Sequence, residues 1–105
     1  MDDKEKEQRI QEMQMIEQNL QNILMQKQAF QMELRETQAA LKQLDKSGDE
    51  VFKIIGQLMI KTDKKSMKDE LQNKEKLMDL RISSFEKQEK IFSEKLESLQ
   101  REIMK

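Results

Sequence analysis

Aspartate, glutamate, lysine and arginine are the only side chains here that could carry acid–base chemistry, and they are scattered, not clustered. The chain has 20 basic and 21 acidic residues, finely mixed, for a net charge of −1. Histidine, cysteine, tyrosine and tryptophan are all absent. The commonest general base and metal ligand are thereby missing, along with thiol chemistry and disulfides. Carboxylates and lysines remain, but no pattern implies a pocket that would tune them. The expectation is a non-enzyme that needs no cofactor and no metal. Two charged residues nevertheless stand out by position, Lys27 and Glu89, because each interrupts a largely apolar helical seam.

Those seams define the elements. With Met13 as heptad position a, the first seam reads Met13, Ile16, Leu20, Ile23, Lys27, Phe30, Leu34, Thr37, Leu41 and Leu44. The second reads Leu71, Glu75, Met78, Ile82, Phe85, Glu89, Phe92, Leu96, Leu99 and Ile103. Such unbroken three–four spacing is the mark of a coiled coil. Helix breakers lie only between the seams, at Gly48 and Gly56, and proline is absent. The expected layout is a single 105-residue domain: helix about 8–46, β-hairpin about 50–62, helix about 65–104. The fold class is mostly α, a long antiparallel coiled-coil hairpin with one short β-hairpin at its base. Each seam would run roughly 55 Å. A parallel homodimer of one long broken helix is the competing arrangement.

Two layer registers fit the periodicity. Both put Lys27 and Glu89 within about one layer of each other, since an unpaired charge among apolar side chains is costly. The pair is expected to fix register more than to add stability. On this reading Lys27→Leu leaves stability similar or higher while loosening the alignment. Gly48 suits the end of the first helix, and Asp63 or Ser66 the cap of the second.

The insert VFKIIGQLMIKT carries Val51, Phe52, Ile54, Ile55, Leu58, Met59 and Ile60 around Gly56. Apolar side chains on both faces of an isolated two-stranded hairpin leave it marginal in water. Either it packs back on its own coiled coil, or strands from other subunits cover it. The second reading makes these seven residues the candidate assembly surface.

The free end of the hairpin would gather Ile10, Met13, Met15, Ile16, Leu99, Ile103 and Met104. Ile10, Met15 and Met104 fall outside the seam. Flexible, polarisable methionine suits contact with varied apolar shapes, so these seven are the candidate contacts for a varied apolar partner. Ordinary end-of-helix residues would look the same. Met25, Met32 and Leu80 occupy outermost heptad positions, which fits plain surface residues or the lining of a cavity between coiled coils.

Three segments resemble the β-type subunits of the prefoldin family in their archaeal form. They are QKQAFQMELRETQAAL (26–41), EVFKIIGQLMIKT (50–62) and FEKQEK (85–90). The Phe52–Lys53 pair followed by Gly56 and Leu58 is the most specific part. Family members usually have tyrosine at the place of Phe52 and often a longer C-terminal tail. The resemblance implies a hexamer of two α-type and four β-type subunits, whose hairpins join an intersubunit β-barrel. It also implies an ATP-independent chaperone that holds non-native proteins between coiled-coil tips and passes them to a group II chaperonin. A structural coiled-coil adaptor with one defined partner is the alternative function.

No basic stripe supports nucleic-acid binding. The lysines 61, 64, 65 and 68 are interrupted by Asp63, and acidic residues follow at 69 and 70. The segment MDDKEKEQR has no apolar core for secretion, and nothing approaches transmembrane length. No membrane partner is expected, and a cytoplasmic location is.

Overall fold

The computed structural model describes all of residues 1–105. Two helices, α1 (Asp3–Asp45) and α2 (Lys64–Met104), flank two strands, β1 (Glu50–Ile55) and β2 (Leu58–Asp63). The chain divides into two compact units. One contains Met1–Ala29 with Arg81–Lys105, and the other contains Phe30–Leu80.

In the first unit, α1 begins before its apolar seam does. Asp2 caps it, its Oδ1 accepting the Glu5 amide at 2.8 Å, and Asp3 and Glu5 favour the first turn. This local chemistry moves the helix start to Asp3, ahead of the residue 8 that periodicity alone suggests. Ile16, Ile23, Ile82, Phe85 and Leu99 are buried here. Met13, Leu20, Phe92, Leu96 and Ile103 are half-buried beside them. Antiparallel pairing appears in the flanking charges: Lys95 lies 3.3 Å from Glu12, joining two g positions. Two parallel helices would instead pair g with e.

In the second unit, Leu44, Met78 and Thr37 form the buried core. Thr37 is 4% exposed although polar. Its hydroxyl donates to the Glu33 carbonyl at 2.9 Å, a bond within the helix that lets it sit in the seam beside the Met78 sulfur, 3.9 Å away. Lys74 and Glu33, again g with g, approach to 3.8 Å.

The ends of α1 and α2 are closed by side chains. Gly48 does not take a left-handed conformation, and Gly56 is the only residue with positive φ. Instead the Ser47 hydroxyl donates to the Leu44 carbonyl at 2.7 Å, and the Lys64 ammonium donates to the carbonyls of Asp45 and Ser47. A cation is thereby placed against the negative end of the helix. Asp63, not Ser66, is the cap of α2. Its carboxylate accepts both the Ser66 amide at 2.6 Å and the Ser66 hydroxyl at 3.0 Å. The Ser66 amide bond, above all, holds the Asp63 carboxyl below its ordinary 3.8.

β1 and β2 pair antiparallel from Glu50↔Asp63 to Ile55↔Leu58, leaving Gly56 and Gln57 as a two-residue turn. Positive φ at the first of these only, Gly56 at 60°, is the pattern of a type II′ turn.

Candidate functional site

The register Ile54↔Met59 and Phe52↔Lys61 puts Phe52, Ile54 and Met59 on one face of the hairpin. Val51, Lys53, Ile55, Leu58, Ile60 and Thr62 share the other. That second face leans on the helices near the hairpin's base. Val51, Lys53 and Thr62 are half-buried, and the Lys53 ammonium is bonded to Glu70 of α2. Towards the turn nothing covers either face: Ile54 is 72% exposed, Leu58 67% and Met59 68%. Phe52, Ile55 and Ile60 are exposed as well. Val51 and Phe52 also border an apolar groove with Ala40, Leu44, Met67 and Leu71. A surface of this kind can take neighbouring strands along its edges and large side chains in its groove.

The second candidate surface lies at the helix ends of the first unit. Ile10 and Met15 are exposed, and Met104 is 86% exposed. Met13 and Ile103 are half-buried. Ile16 and Leu99 are buried in the seam. Of the seven sequence candidates, three are therefore exposed, two half-buried and two buried. Arg9 Nε donates to Glu102 at 2.8 Å, tying the two ends together beside the apolar residues.

The structure brings Lys27 and Glu89 together, with Nζ 2.7 Å from Oε1. Their side chains are 18% and 27% exposed. Glu89 Oε1 itself is shut off from solvent and has no well-aligned hydrogen bond. The contact is therefore ionic, and removing the ammonium alone would strand a buried oxygen. In its own unit, Thr37 lies against Met78.

Sequence reasoning missed the side-chain clamps at the hairpin base, Lys64 and the Lys53–Glu70 pair. Their partners depend on three-dimensional closure and leave no periodic trace. The g-to-g pairs Glu12–Lys95 and Glu33–Lys74 were available from heptad lettering. The lysine cluster is absorbed locally: Lys61 pairs with Glu50 at 2.8 Å and Lys68 with Asp45 at 3.6 Å, while Lys64 closes α1. No group of residues has a metal-binding arrangement, and no helix is long and apolar enough to cross a membrane.

Two seam-lined helices joined by an apolar, uncovered hairpin define a class of subunit that presents surfaces to other chains. Comparison with known proteins specifies the class. A sequence profile described as prefoldin subunit matches residues 7–105. The prefoldin subunit beta of Thermococcus onnurineus is 38% identical over 89 residues, covering 83% of this chain and 77% of that protein. That of Sulfurisphaera tokodaii is 33% identical over 93 residues, covering 87% and 74%. The crystal structure of the prefoldin beta subunit from Thermococcus strain KS-1 superposes with a TM-score of 0.87 at 33% identity, over 94% of this chain and 89% of that one. The chain belongs to the prefoldin family of chaperone subunits, among its beta-type members.

Proposed function

We propose that the chain is the β-type subunit of a hexameric, ATP-independent holdase acting in the cytoplasm. Two α-type subunits and four copies of this chain join through Val51, Phe52, Ile54, Ile55, Leu58, Met59 and Ile60, whose strands enter an intersubunit β-barrel. The single observation that carries this reading is the uncovered apolar hairpin. Fully burying one large aliphatic or aromatic side chain contributes about 1.5–3 kcal/mol, so the hairpin as a whole offers on the order of 10 kcal/mol before the costs of association.

Clients are unfolded proteins, held first by Ile10, Met15 and Met104 and then by Met13 and Ile103. Ile16 and Leu99 join when the final turns open. Each tip binds weakly, and several tips acting on one client supply useful avidity. The loaded complex hands its client to a group II chaperonin. Replacing Ile10, Met13, Met15, Ile103 and Met104 with serine tests the tips. The expected result is loss of protection of a denatured protein against aggregation, with the hexamer intact by size-exclusion chromatography. Full protection by the intact variant hexamer would refute the tip assignment.

A further inference from the structure

One face of α1 departs from the rest of the surface. At its solvent-facing heptad positions from residue 14 to residue 29 stand five carboxamides, Gln14, Gln18, Gln21, Asn22 and Gln28. Between them are Met15, Met25 and Ala29. All eight are exposed and none is charged. Of the seven equivalent positions of α2 from residue 87 to residue 101, equally exposed, five are charged, Lys87, Lys90, Glu94, Glu97 and Arg101, and two are not, Ile91 and Ser98. Solvation alone therefore does not account for the α1 face, since the neighbouring helix meets it with charge.

We propose that this strip is a second client-contact surface, which binds extended, uncharged stretches of non-native polypeptide through their main chain. The proposal rests on the holdase reading and extends its binding surface beyond the tip. A carboxamide offers the same donor and acceptor as a peptide group, so it pairs with exposed backbone in either direction and whatever the side chains. Covering a neutral amide also costs far less than covering an ion. Met15 and Met25 add apolar contacts that adapt to shape. The absence of charge selects for an uncharged occupant, and Met15 makes the strip continuous with the tip residues. An unfolded chain displays unpaired backbone along its whole length, which a folded protein does only at a sheet edge. From Gln14 to Ala29 the face runs about 22 Å, which matches roughly seven residues of extended chain.

The test uses the assembled complex and a reduced, carbamidomethylated protein as permanently unfolded probe. The strip variant carries Q18E, N22D and Q28E, none of them a tip residue. A control variant places the same charge on α2 with S83E, S84E and S98E. The strip variant is expected to bind the probe at least about tenfold more weakly, because three carboxylates must now be desolvated, while the control changes little. Because the chain lacks cysteine, a photocrosslinker attached at N22C reports the occupant directly, and crosslinks to the probe are expected. Equal affinity of the strip and control variants would overturn the proposal. So would crosslinking only to a second copy of this chain, or no probe crosslink at all. A tip variant that leaves Met15 in place, with I10S, M13S, I103S and M104S, separates the two surfaces. If it loses binding while the strip variant retains it, the holdase reading stands and the strip proposal fails. If binding and probe crosslinking at N22C survive the tip changes, and the strip variant is weakened, the tip assignment fails instead.

Discussion

Removing the Lys27 ammonium while keeping Glu89 should be costly, and removing both charges should not. Two unit charges 2.7 Å apart attract by about 6 kcal/mol at an effective dielectric of about 20, and about 1.5 kcal/mol at the value of water. Both side chains are partly exposed, so the attraction falls between these limits and is largely offset by desolvation. Lys27→Met leaves Glu89 Oε1 buried without a partner, and the expected loss is about 2 kcal/mol. Glu89→Leu loses less, about 1 kcal/mol, because the lysine stem can carry its charge to water. The double variant should lie within about 1 kcal/mol of the parent or above it, as methionine and leucine pack in the seam. Urea unfolding at fixed protein concentration measures all four proteins. A register reporter accompanies it. Cysteines at Thr37 and Met78 should oxidise to a disulfide in the parent, and a Thr37/Glu75 cysteine pair should do so only once both charges are gone. An unchanged stability for Lys27→Met, or a double-variant loss equal to the sum of the singles, would refute the reasoning.

Three further outcomes follow from the hairpin and its helix cap. Ile54→Lys with Met59→Lys places two charges on the uncovered face; by analytical ultracentrifugation the chain should lose its oligomers while circular dichroism keeps its helices. Gly56→Ala forces a side chain into φ 60° at the turn, so it should destabilise the hairpin by roughly 1–3 kcal/mol and weaken assembly without adding any clash. Asp63 has a carboxyl held below its ordinary value. Its capping contribution is therefore complete above the unfolded-state value near 3.8 and fades as pH falls through the lower folded value. Amide exchange at Ser66 should accelerate in that acid range in the parent, and should be fast at neutral pH in Asp63→Ala.

The seams were legible because burial in a two-helix pair follows a fixed period. All twenty positions read from the heptads are buried or half-buried, including the polar Thr37 and the charged Lys27 and Glu89. The hairpin was legible from its β-branched run and Gly56. Its register and turn type required the structure, since several two-residue turns fit the same residues. The ends of the helices were less legible. Gly48 suggested a glycine cap, but hydroxyl and ammonium groups from Ser47 and Lys64 do that work. From the seam alone Lys27→Leu reads as harmless, whereas in the structure Glu89 Oε1 is buried with a single ionic contact, to Lys27. Among the tip residues, the seam lettering already distinguished Ile10, Met15 and Met104, the three found exposed. The uncharged face of α1 was present in the sequence, but its significance appears only beside the charged face of α2.

The most direct test of the central claim, that the uncovered hairpin exists to join other subunits, is native mass spectrometry of the complex purified with this chain as bait. A six-subunit particle with four copies of this chain and two of a longer coiled-coil partner is the predicted result. A monomer, or a one-to-one pair with a folded partner, would contradict it and favour a structural adaptor.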